Sequence, residues 1–144
     1  MYYISHRGNL SGSQPEFENK PAYIVEALNK GFDVEIDVWF KNGSFWLGHD
    51  EPTYRIYYSF LQNKKLWCHA KNIKALNEML KIKNIHCFWH EEDTVTLTSK
   101  GYIWTYPEKD LTDKSICVLP NSNSATQSYI GICSDYIERY KLND

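Results

Sequence analysis

The stretch Phe32-Asp33-Val34-Glu35-Ile36-Asp37-Val38-Trp39 decides how this chain is read, together with the Gly48-His49-Asp50 that follows it. In an extended strand side chains alternate, so Glu35 and Asp37 share one face while Val34, Ile36 and Val38 take the other. Two carboxylates side by side in so apolar a strand are costly to bury unless a cation lies between them. A divalent metal ion is the natural counter-charge. His49 arrives on the next strand-like segment, and the chain opens with Ile4-Ser5-His6-Arg7-Gly8, an apolar strand ending in a base and a fixed positive charge. These three pieces are expected at one rim of the fold.

Working outward, Tyr2 to Arg7 reads as a strand and Gly8 to Asn19 as a loop rich in Gly, Ser, Asn and Pro. Pro21 to Lys30 reads as a helix, since Pro suits a first helical turn, Ile24, Ala27 and Leu28 form a stripe, and Gly31 ends it. After the strand Phe32 to Phe40, Asn42-Gly43 is a strong hairpin signal before Phe45-Trp46-Leu47. A single helical turn is expected near Tyr58 to Leu61, then a strand over Leu66 to Lys71 and a helix capped by Asn72 with Ile73, Leu76, Met79 and Leu80 on its buried side. Further strands are expected at His86 to His90, Tyr102 to Tyr106, Ser115 to Leu119 and Tyr129 to Ser134.

Eight short strands, the early ones separated by helices, predict an α/β fold of one domain over residues 1–144. The expected architecture is a reduced TIM-type (β/α)8 barrel with several outer helices shortened or missing. Such barrels usually run to about 250 residues, so the later connections must shrink to loops or single turns. An open mixed sheet is the rival arrangement. The Asn-Gly turn calls for one antiparallel pair. A hairpin arm in place of a crossover helix lets the chain descend from Asp37 and return to His49 on the same rim.

Composition excludes several classes. A net charge of −2 gives no electrostatic footprint for nucleic acid, and no apolar run reaches the length of a membrane span. The first strand begins at about residue 2, which leaves no room for a signal peptide and predicts a cytoplasmic protein. Cys68, Cys87, Cys117 and Cys133 each lie in a short apolar run without any Cys-x-x-Cys pair. They are expected as reduced, buried thiols rather than a zinc site.

His6-Arg7-Gly8, Glu18-Asn19, Gly31 through Val38 and Leu47-Gly48-His49-Asp50 together resemble the glycerophosphodiester phosphodiesterase family, within the phosphatidylinositol-phospholipase-C-like barrels. The strong part of the resemblance covers roughly the first third of the chain. It extends more weakly through Lys71 and into Gly131-Ile132-Cys133-Ser134-Asp135, which resembles the last strand of such barrels.

That resemblance implies a metal-dependent phosphodiester hydrolase. By position, His6 and His49 would be the acid–base pair, Glu35 and Asp37 would hold Mg2+ or Ca2+, and Arg7 and Lys71 would grip phosphate oxygens. Where the family has a third acidic ligand two residues before the lysine, this chain has His69, on the same strand face as Lys71. An imidazole removes one negative charge and softens the ligand set, which shifts preference toward Mn2+. The implied substrate is a small or lipid-derived phosphodiester.

Two other readings compete: a catalytically degenerate barrel that binds a phosphorylated ligand or a partner protein, and an enzyme that stops at a cyclic product. His90 is a further candidate for the rim, while Trp104 and Tyr106 read as core or wall. A barrel short of outer helices also leaves apolar strand surface that a second copy of the chain can cover, making a homo-oligomer.

Overall fold

The structure of the chain, a computed structural model, describes residues 1–121 and 128–143. Strand β1 (Tyr2–His6) leads into helix α1 (Pro21–Asn29), then β2 (Asp33–Lys41) and β3 (Ser44–Leu47). The middle of the chain holds β4 (Tyr54–Ile56), α2 (Tyr58–Leu61), β5 (Leu66–Ala70) and α3 (Ile73–Lys81). The last part carries β6 (Cys87–Phe88), β7 (Val95–Leu97), β8 (Ile103–Thr105), β9 (Ser115–Val118), β10 (Gly131–Ser134) and α4 (Ile137–Leu142).

The local chemistry explains the boundaries. Pro21 opens α1 where no N–H partner is needed. Asn72 caps α3, its side chain accepting from the Ala75 N–H. Asn42 and Gly43 both take positive φ, 52° and 75°, as the tight turn joining β2 to β3 requires.

Seven strands run parallel in the spatial order β6, β5, β2, β1, β10, β9, β8, and β7 adds antiparallel to β8. β2 is long enough for three partners: β1 at Asp33–Glu35, β5 at Val34–Val38, and the antiparallel arm β3 at Val38–Lys41. The architecture is therefore mixed α/β. The sheet is not closed, because β6 and β8 are not paired with each other. Ser99 stands beside β6 in this region, its N–H donating to the Cys87 carbonyl (2.8 Å) while its hydroxyl accepts from the Cys87 N–H (2.9 Å).

Alternation splits the apolar side chains into two clusters. Val34, Ile36 and Val38 of β2 and Cys68 and Ala70 of β5 pack under Ile24 and Ala27 of α1 and Ala75 and Met79 of α3. On the opposite side, Ile4, Trp67, Phe88, Trp104, Ile116, Val118 and Cys133 form a second cluster. Burial of each large side chain contributes about 1.5–3 kcal/mol. Glu35 and Asp37 belong by parity to this second side, so apolar packing on both faces of β2 holds the carboxylates out of solvent. All four cysteines are free and buried, as expected. Among the described residues no helix is long and apolar enough to cross a membrane.

The elements differ from expectation in detail. β4, β7 and α4 were not foreseen, and the strand expected over His86–His90 is regular only at Cys87–Phe88. β4 and β7 are three-residue strands that exist through pairing with β3 and β8 rather than through any pattern of their own.

Candidate metal centre and acid–base cleft

Register assembles the site. In the parallel pairing His6 lies opposite Glu35, and Asp37 lies opposite His69. β1 ends at His6, after which Arg7 and Gly8 take φ of 57° and 95° and turn the chain out across the rim. The Arg7 N–H donates to the Glu35 carbonyl (2.9 Å), which fixes that turn against β2.

The carboxylates are deeply placed, with Glu35 3% and Asp37 0% exposed. Asp37 Oδ2 accepts from Asn19 Nδ2 (2.9 Å), and the Asp37 N–H donates to Asn19 Oδ1 at the same distance. Arg7 Nε lies 3.0 Å from Asp37 Oδ2, and Arg7 Nη1 lies 3.4 Å from Glu18 Oε2. His69 Nδ1 lies 3.2 Å from Asp37 Oδ1 and 4.0 Å from Glu35 Oε1, and Lys71 Nζ lies 4.0 Å from Asp37 Oδ1.

Despite these neighbours, Glu35 Oε2 and Asp37 Oδ1 are buried without a hydrogen-bond partner. One ligand atom each from Glu35, Asp37 and His69 fall within 4.8 Å of one another. Unpaired buried oxygens are costly, and a bound cation removes that cost. The residues present thus fit a divalent ion.

The electrostatics separate the two acids. Burial pushes the Glu35 carboxyl up, the Asp37 charge adds to this, and His6, Arg7 and His69 only partly oppose it. Burial also acts on Asp37, but there the His69 imidazole and the Arg7 guanidinium outweigh it and hold the carboxyl well below the usual range.

His6 is held by Asp135. Burial pulls its pKa down, yet the bond from Nδ1 to Asp135 Oδ1 (2.8 Å) and the Glu35 charge leave it raised. Since the carboxylate accepts, Nδ1 carries the proton and Nε2 points to Glu35 Oε2 at 3.8 Å. Asn9 Nδ2 joins the same network, donating to Asp135 Oδ1 and to Glu18 Oε1, both at 2.8 Å.

A cleft of about 400 Å³ opens beside this cluster, lined by His6, Arg7, Glu18, Asn19, His49 and Asp135 among others. The hairpin arm brings His49 there. The Gly48 N–H donates to the Asp37 carbonyl (3.2 Å), and the Gly48 carbonyl accepts from Trp39 Nε1 (2.7 Å). The His49 side chain is 44% exposed, with Nδ1 2.8 Å from Asp50 Oδ1.

Of the residues expected from sequence, His6, Arg7 and His49 line the cleft, Glu35, Asp37 and His69 form the cluster, and Lys71 stands beside Asp37. His90 reaches the cluster by stacking on His69, with centroids 4.2 Å apart and planes within 3°. Asn9, Glu18, Asn19 and Asp135 were not assigned roles from sequence. The signal for Asp135 was parity: it follows buried Cys133 by two residues at the end of β10.

Comparison with family models, with curated proteins and with solved structures finds no match to this chain.

Proposed function

We propose that the chain is a divalent-metal-dependent phosphodiester hydrolase on a reduced TIM-type barrel, with His6 and His49 as its acid–base pair. The observation that carries this reading is that two imidazoles from separate segments, His6 and His49, line one cleft with Arg7, whose guanidinium contacts the buried Glu35–Asp37–His69 cluster. The barrel reading draws support from strand order: the seven parallel strands neighbour one another in chain order, with β10 returning to β1 and only the β6–β8 link unpaired.

Chemically, one histidine takes the proton from the attacking hydroxyl as its oxygen bonds to phosphorus. The other delivers a proton to the alkoxide whose bond to phosphorus breaks. Histidine suits both tasks because its two forms are accessible near neutral pH. Asp135 fixes the His6 tautomer, leaving Nε2 for the transfer. Arg7 and Lys71 supply positive charge for phosphate oxygens. Glu35, Asp37 and His69 would hold the metal, which when bound supplies Lewis-acid neutralisation of the phosphate charge.

The test is hydrolysis of bis(para-nitrophenyl) phosphate and glycerophosphocholine with added Mg2+, Ca2+ or Mn2+. Turnover is expected to need a metal and to be abolished in His6→Ala and in His49→Ala. Turnover that survives chelation, or both substitutions, contradicts the proposal. Binding of a phosphodiester without turnover under any metal selects a binding protein instead.

A further inference from the structure

The Glu35–Asp37–His69 cluster carries more than a general affinity for divalent ions. Ca2+ and Mg2+ are hard cations whose sites gain affinity from accumulated ligand charge and oxygen donors. This cluster offers two carboxylates and one nitrogen, and its charge is heavily offset. Arg7 Nε lies 3.0 Å from Asp37 Oδ2, and Lys71 Nζ lies 4.0 Å from Asp37 Oδ1. Two fixed cations thus sit against two anions before any metal enters.

The nitrogen, by contrast, is prepared. His69 Nε2 lies 3.2 Å from the His90 carbonyl, which can only accept, so Nε2 carries a proton. Nδ1, 3.2 Å from Asp37 Oδ1, is the ring nitrogen turned to the carboxylates, where a metal would take the place of its proton. A ligating histidine is held in this way when its other ring N–H donates to a backbone carbonyl. The ring is further fixed by stacking on His90 (4.2 Å) and Phe88 (5.3 Å), nearly parallel to both. Asp37 Oδ1 at 3.2 Å and Glu35 Oε1 at 4.0 Å face that nitrogen on side chains at most 4% exposed, and Asp37 Oδ1 and the other Glu35 oxygen, Oε2, have no hydrogen-bond partner.

We propose that this centre selects a first-row transition ion, Mn2+, Fe2+, Co2+ or Zn2+, over Mg2+ and Ca2+, with His69 Nδ1 as the discriminating ligand. A nitrogen donor strengthens bonding to these ions in the order Mn2+ < Fe2+ < Co2+ and gives little to Mg2+ or Ca2+. The inference rests on the metal site of the proposed hydrolase, but binding is measurable without turnover.

The experiment is a Mn2+ titration of the full chain followed by electron paramagnetic resonance, with calorimetric titrations of Mg2+ and Ca2+. Mn2+ is expected to bind roughly tenfold or more tighter than either. The bound ion should show the electron-spin-echo modulation of a directly bonded 14N. His69→Gln should lose that modulation, and His69→Glu should narrow or reverse the preference by restoring a third carboxylate. Circular dichroism of both variants establishes that they fold. Equal or tighter binding of Mg2+ or Ca2+ to the unaltered chain, no metal binding at all, or Mn2+ binding without nitrogen modulation overturns the inference. Turnover with Mg2+ as well as with Mn2+ would leave the hydrolase proposal standing, whereas selective Mn2+ binding without turnover would leave only the metal assignment.

Discussion

Asn19 shows how much the placing of a buried carboxylate depends on a single neighbouring amide. Its φ is 65°, and its side chain both donates to Asp37 Oδ2 and accepts from the Asp37 N–H. Asn19→Gly keeps the backbone conformation and removes both bonds. It is expected to weaken metal binding about 10–100-fold, read by Mn2+ titration, while the far-ultraviolet spectrum stays unchanged; unaltered affinity would show that Asp37 is positioned without it. Asp135→Asn is expected to lower kcat by about 100-fold or more with KM little changed, because the amide no longer fixes the proton on His6 Nδ1. A fall confined to KM would place Asp135 in binding instead. Strand parity put Glu35 with Asp37 on one face and His69 with Lys71 on one face, while the resemblance joined the two pairs and the register between β2 and β5 sets Asp37 opposite His69. The Asp135–His6 bond spans 129 positions and was not legible, since no local pattern relates the two.

At the scale of elements, the parts that were legible carry their own physical signals. Pro21 and Gly31 bracket α1, Asn42-Gly43 turns β2 into β3, and Asn72 starts α3. Asn72 does more than cap. Its Oδ1 also accepts from the Phe40 N–H (3.2 Å) and its Nδ2 donates to the Phe40 carbonyl (3.0 Å), tying α3 to β2. Asn72→Ala is expected to cost about 2 kcal/mol, measured by urea denaturation; a loss near that of an isolated surface cap would show the tie to Phe40 is weak. Gly48 is constrained for another reason: at φ of 154° an added Cβ would collide with the Glu51 carbonyl. β4, β7 and α4 gave no such signal, and their short lengths leave pairing and packing to define them.

At the scale of the whole molecule, stability should depend on pH through the buried imidazoles of His86 and His90. Burial, reinforced by Lys100, lowers His86 from 6.5 to about 4, and burial with His69 and Lys71 nearby lowers His90 to about 4. Protonation is thus resisted in the folded state, so between pH 6.5 and about 4 the unfolded chain binds more protons. Stability is complete above that window and falls as pH is lowered through it. At about 1.4 kcal/mol per pH unit, His86 accounts for a loss on the order of 2–3 kcal/mol. Thermal midpoints recorded from pH 7.5 to pH 4 should therefore drop, and His86→Asn should flatten part of that drop; an unchanged slope would show that His86 is not responsible. The fold is mixed α/β as expected, and its sheet is not closed, with β6 only two residues long and not paired with β8.

The proposed hydrolase needs one arrangement: a cation held by Glu35, Asp37 and His69, with phosphate between it and the two histidines. Crystals soaked with Mn2+ and inorganic phosphate, measured at the manganese absorption edge, test it directly. The expected result is one anomalous peak bonded by those three side chains, with a phosphate reaching both His6 and His49. An absent peak at that cluster, or a phosphate seated beyond reach of either histidine, would contradict it.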